Sequence, residues 1–217
     1  MIVDKLLYYT LSMVIFFIGD YLIYHIINLY LLNNSNKNKY MTKTHWFMGN
    51  LFSYFILSML YWEDIGYTYY SLHNQNILYT ISTIPIILLF TDTIFYFTHR
   101  LSHIEPFYQY FHYFHHQFRP IDSWISRTSN WVDSNLENIA FTIPFIIIPT
   151  HFYVMYSILI FSFYWGCLIH HSNHRDLGFQ YINDSKTHNI HHRYGKDNYN
   201  FSYYFTHWDQ LLGTYKK

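Results

Sequence analysis

The chain has 217 residues, the length of a single domain, and its formal net charge at pH 7 is zero. Charged residues make up only 12% of the chain, whereas hydrophobic residues make up 51% and aromatic residues 24%. This composition argues against a disordered chain, and the lack of a basic stripe argues against a nucleic-acid-binding protein. The one cysteine, Cys167, excludes an intramolecular disulfide and a CxxC zinc knuckle.

Four apolar regions predict membrane-embedded helices, and in chain order they cover residues 6–32, 46–62, 77–98 and 136–169. The first is too long for a cleaved signal peptide and is typical of a signal anchor. The second carries Trp46 and Trp62 at its ends, which is typical of interfacial anchors. The fourth is too long for one span, since about 20 apolar residues suffice. We therefore expect a hairpin of two helices that turns near Pro149.

The positive residues indicate how these helices are oriented in the membrane. With three spans followed by a hairpin, every Lys and Arg except Lys5 falls on one side. Positive residues concentrate on the cytosolic side of membrane proteins, so the N-terminus is expected outside. The polar portions 99–135 and 170–217 share the cytosolic side and are expected to form one helical cap. The predicted fold is an all-α, multi-span integral membrane bundle with a single membrane domain over residues 1–217.

Histidine is the unusual residue type of the sequence, with 16 in the chain. Most of them lie in four tight groups within the predicted cap. The groups are His99 and His103; His112, His115 and His116; His170, His171 and His174; and His188, His191 and His192. Each group contains a pair four residues apart, which on a helix places two imidazoles on one face, about 5–6 Å apart at Cβ. Imidazole binds zinc, copper, iron and nickel, so the groups predict a metal without identifying it.

The number of histidines narrows the choice of metal. One tetrahedral zinc takes about four ligands, far fewer than the groups supply. Two ions with mostly nitrogen coordination use all of them, and a pair of irons is the economical interpretation. The isolated histidines are expected to be interfacial or hydrogen-bonded in the core, and they are His25, His45, His73, His151 and His207.

The order of the motifs resembles the fatty acid hydroxylase/sterol desaturase superfamily of membrane di-iron oxygenases. DTIFYFTHRLSH at 92–103 is similar to the family's first histidine box, and HYFHH at 112–116 is similar to its second. HNIHH at 188–192, followed by NYNFS and then FTHWDQLLGT at 205–214, is similar to its last box and tail. The resemblance covers residues 77–217.

The resemblance implies dioxygen activation at two irons and hydroxylation or desaturation of a lipid, which is a sterol, a sphingoid base or a fatty acyl chain. It implies that the grouped histidines are the ligands, with either His170 or His171 in the third group. Ligand histidines usually donate their other ring N–H to a further group. Candidates for such outer residues are Asp92, Tyr96, Asp133, Glu137 and Asp209. For Asp92, a carboxylate that binds the backbone of a neighbouring segment is an equally open alternative.

Electrons have to come from outside, because the sequence has neither GxGxxG nor CxxCH. The implied partner is a cytochrome b5-type donor with its reductase, at the endoplasmic reticulum membrane. Two other functions stay open. A zinc-dependent membrane hydrolase is disfavoured because the sequence lacks HExxH. The other is a catalytically silent relative that acts as a binding protein. A serine hydrolase is not supported, because no GxSxG is present.

Overall fold

The computed structural model describes residues 2–31, 43–61, 65–71, 76–172, 176–195 and 199–217. Within these ranges the regular elements are helices, and the expected all-α class is confirmed. The helices are α1 (Ile2–Ile26), α2 (Lys43–Tyr61), α3 (Ile77–Ser102), α4 (Tyr113–His116), α5 (Trp131–Ile147), α6 (Phe152–Ile169), α7 (Ser185–Tyr194) and α8 (His207–Leu211). Some residues named above lie outside the described part, namely Trp62, His73, His174 and Asn198. The side chains of His45 and Trp46 also lie outside it.

Three helices are long and apolar enough to cross a membrane, and they cover Leu6–Leu29, Ile77–Ser102 and Phe152–Ile169. The apolar helix Met48–Leu60 is shorter. Large apolar side chains along one side of α1 are exposed, including Leu11, Ile15, Ile18 and Leu22. A contiguous apolar surface of this kind is suited to lipid rather than water. The multi-span helical bundle is therefore present, and its orientation in the membrane stays a prediction.

Helices α5 and α6 flank a short connection that contains Pro149, the place where the hairpin is expected to turn. Asn130 caps α5 by accepting the backbone N–H of Val132 (2.9 Å), so the helix begins before the apolar region at 136. His151 caps α6 by accepting the N–H of Tyr153 (3.2 Å). The first turn of α5 is polar, so hydropathy alone did not predict it. The Asn130 cap stabilises this turn.

Helix α3 continues four residues beyond the predicted end at 98 and ends at Ser102. Its last turn therefore carries the first histidine box. Tertiary contacts stabilise this polar turn, because His99 and Ser102 are both buried. Two shorter elements follow, a π-helical turn at Tyr108–His112 that leads into α4 and a 3₁₀ turn at Ser123–Arg127.

Two buried clusters hold the bundle together. Residues of α2, α3, α5 and α6 form the larger one, which contains Leu60, Ile87, Phe145, Met155 and Ile158. The other joins α1 to the 3₁₀ turn and α6 through Tyr24, Ile27, Trp124 and Cys167. Tyr24 also donates its hydroxyl to the carbonyl of Trp124 (2.5 Å). The second cluster fixes the cap segment 99–135 against the membrane helices.

The C-terminal tail lies against α6 and α3. A Cβ added at Gly166 would lie 2.5 Å from the hydroxyl oxygen of Tyr203, so only glycine permits this close approach. The Tyr203 hydroxyl donates to the carbonyl of Ser162 (2.7 Å). These contacts bring the tail, and α7 before it, to the end of α3 that carries the histidines.

Candidate metal centre

Nine of the eleven grouped histidines come together in two clusters of ring nitrogens. The five-histidine group consists of His99, His103, His112, His116 and His191. The four-histidine group consists of His115, His170, His188 and His192. Within each group the candidate ligand atoms all lie within 4.8 Å of one another, and all nine residues are buried. The two groups are therefore dense enough in nitrogen to hold one ion each.

Each HxxHH motif supplies histidines to both groups. His112 and His116 belong to the five-histidine group, whereas His115 belongs to the other. Along α7 the middle histidine, His191, belongs to the five-histidine group, and the other two, His188 and His192, belong to the four-histidine group. Residues four apart share a helix face, while consecutive residues diverge by about 100° around the axis. The motif thus has the spacing needed to serve two neighbouring ions.

The third histidine group of the sequence contributes through His170. This residue follows the last turn of α6, and its Nε2 atom lies 2.9 Å from Nε2 of His188. His171 is half-buried and belongs to neither cluster. His174 lies outside the described residues. Between the two open choices, the structure places His170 at the centre.

Four histidines are oriented by backbone carbonyl groups. His99 Nδ1 donates to the carbonyl of Phe201 (2.8 Å), and His191 Nδ1 donates to that of Tyr199 (2.8 Å). The two other Nδ1–carbonyl pairs are His115 with Thr128 (3.0 Å) and His170 with Gly166 (2.7 Å). A carbonyl only accepts, so each of these Nδ1 atoms carries the proton and Nε2 carries a lone pair. This is the usual arrangement of a metal-binding histidine.

Two ring nitrogens that face each other, those of His115 and His170, show that the site fits a cation. Burial is the main cause that lowers the pKa of His115 to about 4 and the pKa of His170 to about 3, so both rings are neutral near pH 7. Their Nε2 atoms lie 3.3 Å apart, and each presents a lone pair. Two lone pairs at this distance repel unless a positive charge lies between them. The donor set therefore fits a metal ion.

The same arrangement recurs in the five-histidine group. His99 and His112 have their Nε2 atoms 3.2 Å apart. His112 Nδ1 lies 2.9 Å from Oδ2 of Asp133, so its proton is on the side away from His99. Asp133, Glu137 and His112 also form a compact cluster of their own. The first two turns of α5 thus bring two carboxylates to His112, and their role as outer residues stays a prediction.

Asp92 binds the backbone of the tail. Its Oδ1 accepts the N–H groups of Tyr203 (3.0 Å), Tyr204 (2.6 Å) and Phe205 (3.3 Å). Its other oxygen lies 3.7 Å from Nδ1 of His207, one of the isolated histidines. Among the described residues, these contacts correspond to the alternative of a carboxylate that holds a neighbouring segment.

Asp209 and Tyr96 also act on the tail. Asp209 accepts the N–H groups of Phe201 (2.9 Å) and Ser202 (3.0 Å), and so supports the segment whose carbonyl orients His99. The Tyr96 hydroxyl lies 3.0 Å from the hydroxyl of Thr214. Asp209 therefore reaches the five-histidine group through one intervening backbone segment.

Asn200 fixes the part of the tail that contacts two of the clustered histidines, a role that the histidine spacing does not predict. Its φ of 57° is left-handed, a conformation that asparagine tolerates better than most residues. Its side-chain amide donates to the carbonyls of Thr187 (3.1 Å) and Lys216 (2.9 Å). It lies between Tyr199 and Phe201, whose carbonyls orient His191 and His99. Asn200 belongs to the NYNFS motif, which the sequence analysis identified. The spacing of that motif does not predict that its backbone carbonyls contact the histidines.

A cavity of about 230 Å³ leads to the metal centre from among α1, α2, α5 and α6. Its inner end is formed by His99, His115, His170 and His188. Apolar side chains such as Ile15, Leu57, Phe141 and Leu159 form much of its wall. An apolar cavity that ends at histidine side chains is suited to a lipid chain or ring system.

The family model described as "Fatty acid hydroxylase" matches residues 84–214, which include all nine clustered histidines. The chain belongs to this family. The resemblance to the fatty acid hydroxylase/sterol desaturase superfamily is confirmed.

Individual proteins similar to this chain include sterol desaturases and a lathosterol oxidase. A Delta(7)-sterol 5(6)-desaturase of Candida glabrata is 28% identical over 79% of this chain and 44% of its own length. The Delta(7)-sterol 5(6)-desaturase of Saccharomyces cerevisiae is 33% identical over 60% of this chain and 35% of its own. The lathosterol oxidase of Homo sapiens is 31% identical over 59% of this chain and 43% of its own. The matches thus span less than half of each of these relatives. No solved structure matches the chain.

Proposed function

We propose that the chain is a membrane-bound non-haem di-iron oxygenase that hydroxylates or desaturates a lipid, using dioxygen and external electrons. The observation that carries the proposal is the pair of histidine groups with opposed Nε2 atoms at the end of an apolar cavity. The relatives named as sterol desaturases and lathosterol oxidase favour a sterol over a sphingoid base or a fatty acyl chain.

Iron is favoured over zinc by the chemistry in the relatives' names. Desaturation and oxidation need a metal that changes oxidation state, and zinc does not. The second candidate is a zinc-dependent membrane hydrolase. It is also disfavoured because the chain lacks the HExxH motif, which supplies a general base. The nine histidines would hold the two irons, which when bound would supply dioxygen activation.

The protein's own residues orient the histidine rings, bind the lipid and keep water away from the metal centre. The carbonyls of Thr128, Gly166, Tyr199 and Phe201 keep the ligand rings in one tautomer. The apolar wall of the cavity excludes water and directs the lipid to the histidines at its inner end. The chemistry is thus confined to carbon atoms that reach this end.

The electron donor is proposed to be a cytochrome b5-type protein with its reductase, at the cytosolic face of the endoplasmic reticulum membrane. Arg119 and Arg193 are exposed beside His192, and Arg119 donates to the carbonyl of His192 (2.8 Å). This basic surface next to a ligand histidine is suited to an acidic electron carrier.

The test combines metal analysis with lipid profiling of a sterol-producing host. Wild-type protein is expected to carry about two irons and to change the sterol profile, because the donor set suits two ions. His191→Ala should abolish the change, while His25→Ala should not, because His25 bonds to the Tyr21 carbonyl (2.8 Å) outside both groups. Full activity of His191→Ala would contradict the assignment. Zinc in protein from cells grown without added zinc would favour the hydrolase, and reduced protein that is inert to dioxygen would favour the silent relative.

A further inference from the structure

A polar patch interrupts the apolar wall of the cavity. It consists of Asp20 on α1, Asn50 and Ser53 on α2, Arg127 of the 3₁₀ turn and Asn138 on α5, all of which line the cavity. An ionisable residue inside a membrane helix is costly and usually serves a function. None of these side chains belongs to the histidine groups, so the metal centre does not explain the patch.

Arg127 organises the patch. Its guanidinium donates to the side-chain oxygens of Asn50 (3.3 Å) and Asn138 (3.1 Å). Another guanidinium nitrogen lies 3.9 Å from Oδ1 of Asp20. Tyr54 donates its hydroxyl to the second oxygen of Asp20 (2.5 Å). The patch therefore presents donors and acceptors in fixed positions on the cavity wall.

Ser53 is the independent sign of a ligand. Its side chain is 7% exposed and lines the cavity, and its Oγ has no hydrogen-bond partner among the described residues. Ser58 on the same helix instead donates to the carbonyl of Phe55 (2.7 Å). A buried hydroxyl without a partner is destabilising and uncommon in native proteins. A polar group that enters the cavity would satisfy it.

We propose that the polar patch binds the hydroxyl group of the lipid substrate, so that the substrate is a lipid whose polar end is an alcohol. This inference rests on the proposed function and adds the residues that bind the polar end of its substrate. A hydroxyl both donates and accepts, which matches the mixed patch. A carboxylate is disfavoured, because the described cavity wall carries the acids Asp20 and Glu137 against the single cation Arg127.

The patch is also close in sequence to residues that contact the clustered histidines. Arg127 directly precedes Thr128, whose carbonyl orients His115. Asn138 directly follows Glu137, which clusters with His112. Because the patch and four of the clustered histidines line the same cavity, the hydroxyl is held in the cavity that reaches the metal centre.

The test measures lipid binding to the purified, iron-loaded protein by displacement of a fluorescent sterol. One pair of probes is a sterol and the same sterol with its hydroxyl replaced by hydrogen. The other is a long-chain alcohol and its alkane, and the fatty acid of the same length is a further probe. Wild type should bind at least one alcohol about ten-fold or more tighter than its deoxy partner. Ser53→Ala should reduce that ratio about two- to ten-fold, the effect of one hydrogen bond. Ser58→Ala should leave it unchanged.

The outcomes separate this inference from the proposed function. A preference in one pair alone identifies the sterol or the long-chain alcohol as the source of the hydroxyl. Equal binding within both pairs, an unchanged ratio in Ser53→Ala, or tighter binding of a fatty acid than of the alcohol would overturn the patch, even with iron content and lipid oxidation intact. If the wild-type protein binds no iron and oxidises no lipid, both the patch proposal and the proposed function would be overturned. Thermal unfolding of Ser53→Ala checks its fold, which should persist because Ser53 Oγ has no hydrogen bond to any described residue.

Discussion

His115 and His116 are consecutive residues whose rings lie in different histidine groups, with centroids 5.6 Å apart and planes at 90°. His191 and His192 repeat the relationship, at 5.5 Å and 89°. Each adjacent pair therefore ties the two groups together. The separation of the groups is set by the helix geometry of two short motifs rather than by a long loop.

Because neighbouring histidines serve different groups, single substitutions should remove ions one at a time. His115→Ala is expected to lower the iron content from about two to about one per chain, and His116→Ala should do the same at the other group. Lipid oxidation should be abolished in both variants. Elemental analysis of the purified proteins measures the content. Retention of both ions in either variant would contradict the two-group assignment.

His171→Ala and His170→Ala form a matched pair that tests which of the two histidines binds metal. His171 is adjacent to His170 in the chain but belongs to neither group. The variant is expected to keep about two irons and most of its activity, whereas His170→Ala should lose about one iron. The reverse result would show that His171 is the ligand.

Asp133→Asn tests the carboxylate beside His112. The amide can still accept from His112 Nδ1, now 2.9 Å from the carboxylate, but the negative charge is lost. We expect metal affinity to fall about 10- to 100-fold, the usual effect of changing an outer partner of a ligand histidine. Competition with a chelator measures it. Asp176→Asn, at an exposed ion pair with Lys186, is the control and should not change affinity.

Asp209 and Asp92 should differ in their effects, although both bind the tail. Asp209 supports the segment whose Phe201 carbonyl orients His99, so Asp209→Asn should weaken iron binding as well as stability. Asp92→Asn should lower stability by about 1–3 kcal/mol, because three N–H groups lose a charged acceptor. Iron per folded chain should stay unchanged in that variant. Thermal unfolding and iron analysis separate the two, and equal iron loss would show that Asp92 also acts on the metal centre.

Gly19 offers a way to block the cavity without harming the fold. A Cβ built there meets no atom within 4 Å, and the residue lines the cavity from α1. Gly19→Leu should stabilise the helix by about 1 kcal/mol while it fills part of the cavity. Lipid oxidation should fall although both irons are retained. Leu22→Phe, on the exposed side of α1, is the control. Full activity of Gly19→Leu would mean that the lipid takes another route.

Sequence patterns were sufficient to place the apolar helices and to single out the histidines that lie together in the structure. The apolar regions predicted the membrane helices, and the break near Pro149 followed from the length limit of a span. Histidine spacing predicted a dense nitrogen site because residues four apart share a helix face. Spacing does not reveal that His115 and His116 serve different groups, because that depends on how α4 and α7 face each other.

The outer contacts could not be predicted in the same way. Carbonyl groups occur at every residue, so nothing in the sequence distinguishes those of Thr128 and Gly166. Asp92 lies two helical turns before His99, which suggested a role beside the ligands. The tail fold instead brings three backbone N–H groups to its carboxylate. Such contacts depend on long-range packing and not on local periodicity.

The use of main-chain oxygens to hold four of the ligand rings has a consequence for how such a protein tolerates genetic change. A codon replacement alters a side chain but leaves the peptide carbonyl in place, so His99, His115, His170 and His191 keep their acceptors through most missense variation. His112 relies on the carboxylate of Asp133 and lacks this protection. Lineages can therefore diverge widely around the histidines while that aspartate is constrained.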